Sequence, residues 1–260
     1  MTVSYTLDAG VATITIDRPD SMNSLDTETK VALRDAALRA ADDAEARAVV
    51  LTGSGRAFCV GQDLNEHAEN LAADATSLRV TIREHYNPTV TALATMPKPV
   101  IAAVNGVAAG AGASLAFACD FRIVADSAGF NLAFAAIGLS GDTGSTWTLP
   151  RLIGWAKARE LLMLPRTVSA EEALALGLAT EVVPAAKVPT RAAELAAQLA
   201  AGPTVAYAAI RAGLEYSSTH TLEEALEREA ELMSETADTS DHRNAVTAFL
   251  NKQAPTFHGE

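Results

Sequence analysis

Residues 105–120 read NGVAAGAGASLAFACD, with Gly106, Gly110 and Gly112 set in a run of small apolar residues. Directly before them PKPVIAAV, residues 97–104, has the branched apolar character of a buried strand. A strand that runs through a glycine-rich turn into a helix exposes main-chain N–H groups, because the first amides of a helix have no partner inside it. Glycine also lets another molecule come close to that main chain, so such a turn can hold a negative oxygen. The same glycines equally suit tight packing of a helix on a strand, and this stretch alone leaves both readings open.

A second stretch repeats the arrangement. Residues 53–64, GSGRAFCVGQDL, follow an apolar strand at Ala48–Leu51 and again end in a small-residue turn before a helix. Two turns of this kind can present two amides to one oxygen. Elsewhere Val11–Ile16 alternates as a half-buried strand, and Ser24–Asp42 reads as a helix with Ser24 or Asp26 as its N-cap. A helical stretch from about Leu64 to Leu93, the strand at Pro99–Val104, the helix after Gly112 and a strand at Phe121–Val124 continue the alternation, which predicts an α/β fold. After Gly154 the signals are mostly helical: Trp155–Met163, Ala170–Leu176, Thr190–Ala200, Thr204–Tyr216 and Thr221–Ser234. In the last of these Leu222, Leu226, Ala230 and Met233 share a face that has to be covered by something. Gly202-Pro203 marks a boundary, giving regions 1–201 and 202–260.

Composition narrows the partners. With 260 residues and 49% hydrophobic content the chain can bury a large core. A formal net charge of −12 provides no basic field for nucleic acid. Cys59 and Cys119 lie in apolar runs without metal-ligand spacing, His67, His85, His220, His242 and His258 are scattered, and no metal site is expected. Because MTVSYTLDAG has no secretory pattern and no apolar run approaches a membrane span, a cytoplasmic protein with no membrane partner is expected.

The runs Gly55–Leu64 and Pro97–Gly112 resemble, in order and separation, the motifs of the enoyl-CoA hydratase/isomerase family, also called crotonase, and the likeness covers nearly the whole chain. This resemblance implies a spiral of ββα repeats followed by a C-terminal α-helical trimerisation region, with trimers or hexamers formed from them. It implies that the amides of Gln62 and Gly112 hold the oxygen of an acyl-CoA thioester, coenzyme A being part of the substrate and no further cofactor being needed. It further implies that Ser24, Leu25, Val60, Asp63, Leu64 and Gly110 line the coenzyme A path. Lys252, in the tail Ala248–Lys252, either reaches the nucleotide phosphates or is a solvated charge.

The hydratases of this family carry two glutamates, and Ser114 and Phe134 stand at those positions here. Adding water needs both a base and an acid, which a hydroxyl and a phenyl ring do not supply. One carboxylate stands nearby: Asp142, within GLSGDTGSTWTLP, residues 138–150. This segment resembles the branch containing 1,2-epoxyphenylacetyl-CoA isomerase, where that aspartate faces the substrate, although the branch usually has proline at the place of Gly141 and glycine at that of Ser145. Locally, Asp142 is equally readable as an Asx-turn or helix cap. A lone carboxylate suits proton transfer between carbons, so an isomerase is expected. The alternatives are a hydratase or thioesterase on the same fold and a non-catalytic acyl-CoA binder.

Overall fold

The computed structural model describes residues 1–73 and 77–260. Its elements are β1 (Val3–Asp8), β2 (Val11–Ile16), α1 (Thr27–Asp42), β3 (Ala48–Gly53), β4 (Ala57–Cys59), α2 (Leu64–Ala73), α3 (Ser77–Thr81), a π-helical segment (Ile82–Tyr86) and α4 (Asn87–Thr95). Next come β5 (Val100–Val104), β6 (Val107–Ala109), α5 (Ala111–Ala118), β7 (Phe121–Ala125), β8 (Gly129–Asn131), α6 (Ser145–Met163), β9 (Val168–Ser169), α7 (Ala170–Leu176) and β10 (Glu181–Val183). The chain then continues through α8 (Val188–Ala200), α9 (Thr204–Ser217), α10 (Leu222–Ala237) and α11 (Ser240–Leu250).

From β3 to β8 successive strands go to different sheets. Among the described residues one sheet has the order β1-β2-β3-β5-β7-β10 and the other β4-β6-β8-β9. From β3 to β8 the chain therefore lays one strand in the larger sheet, the next in the smaller, and then moves on, which is a ββα spiral. The pairs β2·β3, β3·β5, β5·β7 and β7·β10 are parallel, and β1 closes the edge antiparallel to β2. Strands β3 and β5 are buried nearly throughout, as continuous apolar runs in a covered parallel sheet must be. In the smaller sheet β4 pairs parallel with β6, so the chain leaves both strands at the same end of that sheet. This pairing sets the two glycine-rich turns side by side.

Several boundaries differ from the sequence expectation for physical reasons. Asp26, not Ser24, caps α1 by accepting from the Thr29 N–H at 2.9 Å, because Ser24 is engaged with Asp63. The stretch expected to be helical from Leu64 to Leu93 is divided into α2, α3, the π segment and α4, and residues 74–76 of it lie outside the described residues. α6 begins at Ser145, ten residues before the expected start, and a non-helical Gly154 (φ 76°) breaks it internally. Strands β4, β6, β8, β9 and β10 are only two or three residues long, too short for an alternation to register.

The C-terminal helices are fastened by a few buried polar contacts. Arg211 of α9 donates to the carbonyls of Leu93 and Ala94, both at 2.9 Å, and pairs with Asp120 at 3.1 Å, which satisfies the open end of α4. The stripe expected to be covered on α10 is bare in the single chain: Leu222 is 70% and Met233 71% exposed, with Leu226 and Ala230 also exposed. Leu232 is the residue that α10 buries. Among the described residues no helix is long and apolar enough to cross a membrane, and no group of three or more His, Cys, Asp or Glu side chains gathers to hold a metal.

Candidate active site

A cavity of about 560 Å³ opens where the two turns meet. Val60, Gln62, Asp63 and Leu64 from the first turn and Ala109, Gly110 and Ala111 from the second form one side of its lining; Phe134, Ile137, Leu139 and Asp142 also line it. Ser24 completes the wall beside Asp63.

The first turn is fixed by its neighbours. Leu25 donates to the Gly61 carbonyl at 2.8 Å and accepts from the Asp63 N–H at 3.1 Å, so it bonds to the residues on both sides of Gln62. In an extended chain alternate residues direct their N–H and C=O groups to opposite sides, so the Gln62 amide points away from Leu25. Leu25 itself is buried and does not line the cavity. Gly61 has φ 83°, and a Cβ there would lie 2.9 Å from the Ala109 carbonyl and 3.1 Å from the Ala111 nitrogen. The close approach of the two turns therefore requires glycine at this point.

In the second turn Gly110 adopts φ 51° and ψ −124° at the start of α5, a conformation glycine alone adopts readily. The first bond of that helix runs from the Ser114 N–H to the Gly110 carbonyl at 3.1 Å, so the amides of Ala111, Gly112 and Ala113 precede it. Among these three residues, Ala111 lines the cavity. Gly112, expected to supply the amide, is turned against the first turn instead, where a Cβ would fall 2.0 Å from the Cys59 carbonyl oxygen. Its glycine allows packing, and the residue of this helix start on the cavity wall is the one before it, Ala111. Ser114 is fully buried with its hydroxyl bonded back to the Gly110 carbonyl at 3.1 Å, and Phe134 contributes a ring to the lining.

Asp142 is half-buried on the cavity wall, and burial pushes its carboxyl above the ordinary aspartate value of 3.8, opposed by a hydrogen bond from the Thr143 hydroxyl at 2.9 Å. Its side chain does not cap α6: the N-cap residue is Gly144, with φ 74° and no side-chain cap bond, and only the main-chain carbonyl of Asp142 accepts from Ser145. The carboxylate is thereby left for other work. Asp63 has the reverse character. Burial raises its pKa, but bonds from Ser24 at 2.9 Å, from the Glu66 amide and from Arg18 at 3.2 Å outweigh this and hold it below 3.8. It fastens the turn as a permanent anion.

Lys252 is exposed just beyond α11 and does not line this cavity. Two residues that sequence reasoning did not place here are on the wall: His67, from α2, and Tyr86, whose hydroxyl donates to Gln62 Oε1 at 2.5 Å. Burial, and then the Asp142 charge, keep the Tyr86 phenol well above its ordinary value of 10.0, so it remains a neutral donor.

The family model for enoyl-CoA hydratase/isomerase matches residues 6–260. The chain belongs to the enoyl-CoA hydratase/isomerase family. It is 44% identical over 258 residues to a protein named as a probable enoyl-CoA hydratase from Rhodobacter capsulatus, covering 99% of this chain and 98% of that one. It is 40% identical over 254 residues to 1,2-epoxyphenylacetyl-CoA isomerase from Escherichia coli, covering 98% and 97%. An enoyl-CoA hydratase/isomerase-family structure from Mycobacterium abscessus superimposes with a TM-score of 0.96 at 42% identity, covering 99% of this chain and all of the other.

Proposed function

We propose that this protein is an acyl-CoA isomerase that shifts a proton between carbons of a thioester substrate, with Asp142 as the acid–base group. The observation that carries the reading is that Asp142, a half-buried carboxylate whose side chain caps no helix, lines one cavity together with residues of two adjoining glycine-rich turns. The thioester oxygen accepts from the amides of Gln62 and Ala111. Asp142 takes a proton from the carbon beside the carbonyl, or from one a double bond further along, and the electron pair moves onto the thioester oxygen as an enolate. Returning the proton to a different carbon moves the double bond and regenerates the carboxylate. Each well-aimed amide contributes about 2.7–4 kcal/mol to such a transition state. A raised pKa brings the acid nearer the working pH, which favours transfer in both directions.

The coenzyme A portion runs past Ser24, Val60, Asp63, Leu64 and Gly110, and coenzyme A enters only as part of the substrate. Ring-epoxide and linear enoyl esters both suit an enolate-stabilising site. Region 202–260 serves assembly into a homotrimer or a hexamer, in which the bare faces of α10 and the exposed Ile210, Leu214 and Phe249 meet neighbours. Lys252 is assigned to the nucleotide phosphates. The working compartment is the cytoplasm.

The test is product identity. Incubation with 2-enoyl- and 3-enoyl-CoA esters, followed by mass spectrometry and ultraviolet assay, is expected to give isomers of unchanged mass, with an arylacetyl-CoA ester, which has no double bond to move, as the unreacted reference. A dominant product heavier by one water, or free coenzyme A, would replace the isomerase with a hydratase or a thioesterase.

A further inference from the structure

Behind the cavity wall lies a buried polar chain that the proton transfer does not use. Lys30 of α1 is 2% exposed, and its ammonium donates to Thr81 at 3.0 Å, to Glu66 at 3.2 Å and to Gln62 Oε1 at 3.4 Å, which exhausts its three protons. Gln62 Oε1 thus accepts from two sides, from Lys30 and from the Tyr86 hydroxyl. With the Thr81 oxygen receiving the Lys30 proton, the Thr81 hydroxyl is free to donate to His85 Nδ1, 3.0 Å away. Burial, and then the nearby charges of Lys30 and Arg34, hold the His85 pKa below its ordinary value, which suits an accepting Nδ1.

This chain ends on the residue whose main-chain amide faces the thioester. Leu25 restrains the flanks of Gln62 and Gly61 approaches Ala111 closely, but a glycine at position 61 gives the turn torsional freedom on its N-terminal side. A glutamine side chain left loose on a cavity wall would sample several rotamers and give its own main chain no tether. Fixing Oε1 from two directions removes that freedom. Tyr86 reaches this point from the π-helical segment Ile82–Tyr86. One residue inserted into a helix rotates the residues beyond it by about 100° relative to an unbroken α-helix, and such π turns are found mainly at functional sites.

We propose that Tyr86 and Lys30 are positioning residues that clamp the Gln62 carboxamide and thereby aim the Gln62 main-chain N–H at the thioester oxygen. The proposal rests on the reading that this amide is an oxyanion donor. Neither side chain exchanges a proton with the substrate; their effect passes through Gln62.

The experiment uses phenylacetyl-CoA labelled with a heavy carbon isotope at the thioester carbonyl, bound to the full chain and read by isotope-edited infrared difference spectroscopy. Carbonyl stretching frequency falls as hydrogen bonds to the oxygen strengthen, so it reports the aim of the amides independently of turnover. Wild type is expected to lower the frequency relative to free ester, and Tyr86→Phe, which deletes one oxygen and keeps the ring, to lose a large part of that lowering. With an isomerisable ester, kcat is expected to fall about tenfold, short of the loss of a whole oxyanion donor, while KM stays within about threefold. Gln62→Leu is expected to reproduce the Tyr86→Phe loss, and the double variant to be no worse than either. Lys30→Met is expected to lose part of the lowering as well, and the non-additivity of Tyr86→Phe and Gln62→Leu tests the clamp where that variant fails to fold. Wild-type frequency and kcat in Tyr86→Phe would overturn the clamp while leaving the oxyanion reading intact. No lowering in the wild type itself would overturn both.

Discussion

In the turn after β6 position is set by volume. Gly112 lies where a Cβ would be 2.0 Å from the Cys59 carbonyl oxygen, so this turn holds its place by having no side chain there; Gly106, just ahead of β6, is packed in the same way, 2.0 Å from the Arg56 carbonyl oxygen. In the turn after β4 position is set by polar contacts. Asp63 accepts from Ser24 and Arg18, and Tyr86 and Lys30 converge on Gln62, while Asn23 holds the segment leading into β4 by donating to the carbonyls of Ser54 and Ala57. The two turns that meet in the cavity are thus held in different ways. One should be sensitive to an added methyl group, the other to the deletion of single polar atoms.

The largest effect is expected at the packed turn. Gly112→Ala must push main chain apart, which predicts a loss of about 3 kcal/mol or more by urea unfolding together with loss of activity. A variant with wild-type stability would show that the fit is looser than the contact implies. At the polar turn Asp63→Asn should cost about 1–3 kcal/mol by removing charged hydrogen bonds. The sign of its pH dependence comes from a folded pKa below the unfolded value of 3.8. The stabilisation is complete above that value and fades as pH falls through the lower folded one. Urea midpoints of wild type and variant should therefore converge below pH 3.8, and a constant gap would show that the charge of Asp63 contributes nothing.

The smallest effect concerns the Asp142 loop. A Cβ on Gly141 would lie 2.5 Å from the buried Ser145 hydroxyl, whose oxygen has no partner among the described residues. This contact explains why both positions depart together from the proline and glycine usual in the related branch. Gly141→Ala should destabilise alone and be largely relieved by Ser145→Gly, with a coupling of about 1 kcal/mol in a double-mutant cycle. Additive changes would mean that the two positions are independent.

Sequence and structure agree where a residue type is forced by geometry. Gly61, Gly110 and Gly112 sit where a Cβ is strained or excluded, so the turns are legible as glycine spacing. Asp142 stands out through the likeness of residues 138–150 to a family branch and the absence of glutamate at positions 114 and 134, whereas its local sequence reads equally as a cap. Ala111, the residue of the α5 start that lines the cavity, carries no such mark: a residue proposed to act through its main chain leaves its side chain nearly unconstrained, and attention falls on the neighbouring glycine. Tyr86 is hidden for another cause. It stands in IREHY, residues 82–86, where an α-helical reading misplaces its side chain and only the π turn brings it to Gln62. The α10 stripe is readable as apolar, but a single chain does not show its cover, and the side packed inward carries Leu232.

In the proposed reaction one half-buried carboxylate, Asp142, moves the proton while two main-chain amides hold the thioester. Its most direct test is the pH–rate profile of wild type beside Asp142→Asn at saturating enoyl-CoA, with ester affinity measured in parallel. Wild-type rate should fall on the acid side through a pKa above the ordinary 3.8, because protonating Asp142 removes the base. The variant should bind the ester with unchanged affinity and lose at least about 100-fold in kcat. Undiminished isomerisation by Asp142→Asn, with the same acid limb as wild type, would contradict the account.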